Sequence, residues 1–528
     1  MTSIKRSQHS YLQTAGFITG GTTLLLGLLA LKYPERPIFA ERHDELPYPG
    51  GYPLVGMALD IMKNKETIHC FFLQVFENLN TLTWYGRGIG MPRSVVTIDP
   101  RNIEHILKSN FENYVKGPML NDSSMELLGH GIFNSNGDVW RYQRKTASHI
   151  FNVKNFRDNF TKTFIRHIRY MNEHIFDLAA ESGHPLDFHD IMYKFTLDSF
   201  VELSFGEEVR ALATKDKVPF ASSFDACQLN VAQRFVNPMY KLTEPLTAWF
   251  MPWRTSLKHH LAVIDDFAFG VIDKRRQDLA MGQEYGDLLS RFMTATNVKN
   301  EQLSNKELRD VVLNFVIAGR DTTAQALSWT FYCLLTDPRV EHALLEEVNL
   351  HITDDLENDP AALYEVIKGM KYANANPTNN LSLLVSLKEV LRLYPSVPEN
   401  QKYALNEDIL PDGTRVKKND YVIWCPWSQG RSTKIWGEDA KEFKPERWIT
   451  DENDLRNEPA AKWTAFHAGR QNLATLEALV AIVCLLRRYT FELLPDQDIT
   501  YQYSLTLPMK NGMKIYVHHR RDRTMTQQ

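Results

Sequence analysis

Between Ser304 and Pro338 the chain reads SNKELRDVVLNFVIAGRDTTAQALSWTFYCLLTDP, and from Val311 to Leu335 apolar residues recur on nearly every side of a helical wheel. A helix that is apolar all round belongs in an interior. Ser304 followed by Glu307 forms an S-x-x-E capping box that marks its start. Pro338 disfavours helix at the residue before it and marks the end. About 30 helical residues span roughly 45 Å, the width of a domain. The pattern therefore predicts one long helix through the centre of the body. Helical periodicity dominates elsewhere too. Near the C-terminus the period changes: ITYQYSLTLPMKNGMKIYVHHR alternates and offers Asn511-Gly512 as a turn, which predicts a β-hairpin. The fold class expected is mainly α with a small β region.

The N-terminus departs from this pattern. From Ser7 to Leu31 there is no Asp, Glu, Lys or Arg. A spanning helix needs about 20 apolar residues, and Tyr11–Leu31 meets that length. Lys5 and Arg6 lie on one side; Lys32, Arg36 and Arg42 lie on the other. That bias favours a single-pass anchor with the body on the cytosolic side. The stretch ELPYPGGYPLVG then forms a stiff, turn-rich segment. The expected organisation is an anchor with its flanks over 1–36, a Pro/Gly linker over 37–50, and one body over 51–528.

Composition narrows the function classes. A net charge of −4 gives no reason to expect nucleic acid as a partner. Cys70, Cys227, Cys333, Cys425 and Cys484 are odd in number and dispersed, with no CxxC spacing. This argues against a disulfide framework or a structural zinc site.

Three groups of residues carry candidate chemistry. Ala318-Gly319-Arg320-Asp321-Thr322-Thr323 places a carboxylate in the middle of the buried helix, where a charge is costly unless paired or used. Asp321 beside Thr322 suits a proton relay; equally, the acid is satisfied by an Arg and the Thr bonds to the preceding turn. In SLKEVLRLYP, Glu389 and Arg392 share a helical face. EFKPERW supplies Arg447, and one Glu shared by both Arg groups would make a buried clamp if the fold joins them. In GDVWRYQRKTASHIF, Trp140 and Arg144 share a face, an indole donor and a guanidinium suited to a carboxylate. The plainer reading is a basic solvent-facing helix.

In this order, and followed by Phe466-His467-Ala468-Gly469 and a helix, these groups resemble the cytochrome P-450 family. The resemblance covers nearly the whole body. FTLDSFVELSFG, FDACQLNVAQRFVNP and GDLLSRF look like the microsomal branch that hydroxylates fatty acids near the chain end. The resemblance implies haem b and a haem-thiolate monooxygenase, an oxidoreductase inserting one oxygen atom into a long aliphatic, fatty-acid-like substrate. It implies electrons from an NADPH-cytochrome reductase and residence in the endoplasmic reticulum membrane. It assigns proton handling to Asp321 and Thr322, and haem binding to Trp140, Arg144, Phe466, Gly469 and Arg470. Glu389, Arg392 and Arg447 become the structural clamp. An apolar substrate pocket is expected where Phe195–Gly206, Ser504–Leu507 and Ser396–Pro398 meet, with Ala318, Val397 and Leu505 on its wall.

The family's iron ligand is a Cys in Phe-x-x-Gly-x-Arg-x-Cys-x-Gly, whose thiolate donates electron density toward O–O cleavage. Here only Arg470 stands between Gly469 and Gln471, so the loop is about five residues short and its Cys is gone. Cys484 lies fourteen residues past Arg470 on the next predicted helix, roughly 20 Å along its axis. Cys425 ends a strand-like run, and His467 lacks a thiolate's electron donation. A second departure, about ten extra residues near Asn376–Val385, precedes Glu389; an insertion of that size is thermodynamically cheap. Three explanations stand side by side: a mis-assigned splice junction, a degraded paralogue, or a protein that binds a lipid without oxidising it. In the last two the chain is catalytically dead and at most binds an apolar ligand.

Overall fold

The computed structural model describes residues 22–41, 46–148, 155–297, 300–372, 383–451, 454–466 and 472–520. The fold is mainly helical with small sheets, as the periodicity predicts. The helices that shape the candidate site are α1 (Pro118–Leu128), α2 (Gly137–Ser148), α3 (Phe188–Phe205), α4 (Pro219–Val236), α5 (Tyr240–Phe250), α6 (Asn305–Val316), α7 (Thr322–Thr336), α8 (Leu383–Leu393) and α9 (Asn472–Arg488). The strands of the two larger sheets are β1 (Thr83–Gly86), β2 (Ser94–Thr97), β3 (Tyr114–Val115), β4 (Leu186–Asp187), β5 (Asn400–Ala404), β6 (Tyr421–Trp424), β7 (Tyr489–Leu493) and β8 (Lys514–His519).

The long helix forms as three consecutive pieces. Its first turn is held by the capping box, with Ser304 N–H donating to Glu307 Oε2 at 2.8 Å and Glu307 N–H donating to Ser304 Oγ at 3.3 Å. After α6 a π-helical turn, Ile317–Asp321, widens the helix before α7 continues it. A π turn inside an α-helix often marks a functional position. Nearly every residue from Leu308 to Leu334 is buried, so the helix runs through the main core.

β1, β2, β6, β5 and β3 make a five-stranded sheet in that order. β2 and β6 run parallel; the other pairs are antiparallel. A second sheet has the order β4-β8-β7, all antiparallel. This corrects the hairpin expectation. β8 pairs with β7 and β4, not with the segment before Asn511. The residues around Tyr501 and Met509 instead form their own narrow loop, closed by a bridge between those two positions, with its tip at 504–507. Asn511-Gly512 is a corner, not the hairpin turn: Gly512 adopts φ +69° and its Cα lies against the Asp187 carboxylate, leaving no room for a Cβ. Alternation alone could not distinguish a local partner from a distant one.

Residues 22–32 are helical, and Leu24, Leu25, Leu26, Leu28 and Leu31 are exposed. Residues 1–21, which hold half of the expected anchor, lie outside the described residues. Among the described residues, no helix is long and apolar enough to cross a membrane. Most of the expected insertion, 376–382, also lies outside them. Its last three positions, Leu383–Val385, are the buried first turn of α8, and the Leu383 N–H donates to Glu347 Oε2 at 2.9 Å.

Candidate functional site

In the middle of an otherwise buried helix, Ala318 and Thr322 are half-exposed. They stand four apart on one face. Thr322 Oγ1 donates to the Ala318 carbonyl at 2.8 Å, the back-bond of the plainer reading. Gly319, between them, allows α3 to approach: a Cβ there would lie 1.9 Å from the Phe200 ring. Thr322 borders a cavity of about 80 Å³ whose walls include Leu387, Leu391, Val397, Ala465 and Ala478. Α8, the loop before β5 and α9 therefore converge on this face of the central helix.

Asp321 points elsewhere. It is fully buried, accepting from Gln228 Nε2 at 2.7 Å and from Arg320 Nη1 at 3.1 Å. Arg320 also pairs with Asp225 at 2.7 Å and lies 4.6 Å over the Tyr193 ring. Burial pushes the Asp321 carboxyl up to about 7; Arg320 pulls it back, Asp225 adds to the rise, and the Gln228 hydrogen bond opposes it. Arg320, Gln228, Asp225 and Tyr193 line a larger cavity of about 660 Å³. Leu197, Ser504 and Thr506 line it as well. The α3 segment and the 504–507 tip thus share this cavity, while Ser396 and Val397 line the smaller one. Leu505 is half-buried against the main core and belongs to neither.

The clamp is complete. Glu389 Oε1 accepts from Arg392 Nη2 at 2.7 Å, Arg447 Nε at 2.9 Å and Lys444 N–H at 2.9 Å. Its Oε2 accepts from Arg392 Nε at 2.7 Å and Trp448 Nε1 at 2.9 Å. Arg392 spends its remaining donors on the carbonyls of Gly430, Ala440 and Glu442. Arg447 reaches Asp439 at 3.0 Å. Glu389 and Arg392 side chains are fully buried, and such a charge cluster is tolerated only with this degree of satisfaction.

Arg144 lies 5.4 Å over the Trp140 ring, so the α2 pair shares a face as the spacing requires. The sequence did not single out their neighbours. Lys116, just after β3, donates to the Ile132 and Ser135 carbonyls. Burial pushes its ammonium down to about 7, and Lys402 of β5 and Arg144 repel it in the same direction. Burial lowers Lys402 also. Two half-buried ammoniums and an exposed guanidinium brought together in this way fit a group bearing carboxylates, as a porphyrin does. Only their convergence from three distant segments makes them a site, and one sequence cannot display that.

The iron end does not fit. Phe466 ends a short turn, Thr464–Phe466, while Gly469, Arg470 and His467 lie outside the described residues. Cys227, Cys333, Cys425 and Cys484 are buried, and Cys70 is half-buried. Burial raises the Cys227 and Cys333 thiols and holds that of Cys425 well above its usual range. Those environments oppose a thiolate. Cys484 faces the core from α9, among Val483 and Leu485. The haem of the resemblance thus finds residues for its carboxylates and, in the described residues, no thiolate for its iron.

A second class of residue escaped the sequence reading. Gln325, fully buried, stands three positions after Thr322. A lone amide in an apolar stretch of a buried helix was the available signal.

The comparisons agree with this geometry. The cytochrome P450 family model matches residues 46–515. Cytochrome P450 704B1 of Arabidopsis thaliana is 34% identical over 508 residues, covering 89% of this chain and 95% of that protein. Cytochrome P450 monooxygenase cyp1 of Mycosarcoma maydis is 32% identical, covering 97% and 81%. Cytochrome P450 86B1 of Arabidopsis thaliana is 34% identical, covering 83% and 80%. A match that spans the clamp, the widened central helix and the cation cluster alike makes this chain a member of the cytochrome P450 family.

Proposed function

We propose that this chain is a cytochrome P450 scaffold that binds a long-chain aliphatic, fatty-acid-like ligand and that, as written, lacks the family's haem-thiolate oxygenation. The observation that carries this reading is the sequence between Gly469 and Gln471, which holds a single Arg and no Cys. Thiolate-bound haem supplies oxygen activation in this family. Without the ligand no step of that chemistry is assigned to this chain. The ligand class rests on the segments that look like fatty-acid hydroxylases and on the breadth of the P450 matches.

The enzymatic reading belongs to the same scaffold with the loop restored, and the intact clamp favours it. In that form Trp140 and Arg144, with Lys116 and Lys402, hold carboxylates, Thr322 is the hydroxyl at the small cavity that handles protons while Asp321 stays paired with Arg320, and an NADPH-cytochrome reductase is the electron donor. We also propose residence at the endoplasmic reticulum membrane with a cytosolic body. The exposed leucines of 22–32 support this, as does α5, which has no buried residue and exposes Leu242, Leu246, Trp249 and Phe250. Trp at such a surface suits a lipid interface.

The test is spectroscopic. The unchanged chain is expressed, supplied with haem, reduced and exposed to carbon monoxide. No thiolate-type Soret band is expected. Inserting a Pro-Arg-x-Cys-x-Gly segment after Gly469 should produce it. A stable thiolate band from the unchanged chain overturns the proposal.

A further inference from the structure

A set of hydrogen bonds links residues that line the two cavities. Gln325, fully buried in α7, donates through Nε2 to Tyr193 Oη at 2.7 Å and to Thr506 Oγ1 at 2.7 Å. Its Oε1 accepts the Leu507 N–H at 3.0 Å. One turn further along the same face, Trp329 Nε1 donates to the Leu507 carbonyl at 3.0 Å. The two side chains therefore grip both backbone groups of Leu507, much as a neighbouring strand would. The Leu507 N–H is shared with the Ser396 carbonyl at 3.1 Å, and Ser396 Oγ donates to the Thr322 carbonyl at 2.9 Å. Met509 N–H donates to His189 Nε2 at 3.2 Å.

This closes a ring through Thr322, Ser396, Leu507 and Gln325. Thr322 and Ser396 line the small cavity; Tyr193, Ser504 and Thr506 line the large one. We infer that Gln325 is the positioning residue that fixes the 504–507 tip as a partition between the two cavities and so limits the length of ligand the protein accepts. The inference rests on the ligand-binding reading above. A buried amide whose donors and acceptor are all used holds its partners in one geometry, because releasing any of them leaves a buried polar group unsatisfied.

The experiment has two readouts on the full chain. Gln325→Met keeps the length of the side chain and removes its hydrogen bonds. Hydrogen exchange of the Leu507 and Met509 amides should accelerate by about tenfold or more. Displacement of a fluorescent long-chain acid by saturated acids of twelve, sixteen and twenty-two carbons should shift in favour of the longest. If Gln325→Met does not fold, Tyr193→Phe combined with Thr506→Val removes the same amide's acceptors and should shift both readouts the same way. Unchanged exchange with an unchanged chain-length order overturns the inference. Should the unsubstituted chain bind none of the acids, the ligand-binding reading falls, and the exchange result alone decides whether Gln325 holds the tip.

Discussion

Arg447 Nε reaches Glu389 Oε1 at 2.9 Å from a position 58 residues further along the chain. Glu389 Oε1 and Oε2 already serve Arg392, so two guanidiniums share one carboxylate, and Asp439, 3.0 Å from Arg447, supplies the second negative charge. Glu389→Gln keeps the shape and removes the charge, leaving Arg392 without its counter-ion in the interior. Breaking a buried pair in this way costs about 3–5 kcal/mol. The chain should unfold at markedly lower urea concentration; a midpoint within error of the parent would show that the clamp does not bear on stability.

Gly319→Ala should destabilise despite the higher helix propensity of Ala, a gain of up to about 1 kcal/mol. The added Cβ meets the Phe200 ring at 1.9 Å, and overpacking of this kind costs about 1–3 kcal/mol. The pair Gly319→Ala with Phe200→Leu should recover part of the loss. Thermal unfolding of the three variants measures it, and additive effects would rule out the contact.

Glu477 is buried with Ser199 Oγ, at 2.6 Å, as its hydrogen-bond partner, and burial pushes its carboxyl up to about 8. The folded state therefore holds the proton at a pH where the unfolded chain has released it. Where the unfolded state binds fewer protons, stability falls as pH rises. The loss should develop between about pH 4.5 and 8 and level off above. Glu477→Gln removes the titration, so the variant should gain on the parent across that window, by about 1–3 kcal/mol at pH 8. Parallel denaturation curves at pH 5 and pH 8 provide the check; an equal difference at both would refute the assignment.

Lys116 should take up a proton when a dicarboxylate docks beside it. Its ammonium, pushed down to about 7, is largely neutral at pH 8, and an incoming anion raises it again. Iron-free protoporphyrin probes the carboxylate end without calling on an iron ligand. Calorimetry at pH 8 in buffers of different ionisation enthalpy should show uptake of up to about one proton per porphyrin. Lys402→Met, which removes a repelling neighbour, should reduce the uptake. Binding with no proton uptake in either protein would move the site away from Lys116.

Local signals were readable in the sequence, and assembled ones were not. The capping box at Ser304 and Glu307 and the stop at Pro338 are contacts between near neighbours, so spacing revealed them. Glu389 and Arg392 could be placed on one face, but Lys444 and Trp448 complete the clamp only through folding. At Asp321 both readings were physically open, and the structure supplies the Arg that satisfies the acid while Thr322 takes the back-bond. The C-terminal alternation was real, yet the partner of Lys514–His519 is set by burial of Ile515 and Val517 in the main core, not by the nearby Asn-Gly. Lys116 and Lys402 carry no local mark at all.

The clamp is assembled from α8 and residues 430–448, all upstream of the shortened loop. The clamp is thus built without any residue of the shortened loop. A change confined to the segment after Gly469 leaves every hydrogen bond of Glu389 and Arg392 with its partner present in the chain. A measurement that reads the clamp alone is therefore blind to the length of that loop, and a measurement at the iron end is not.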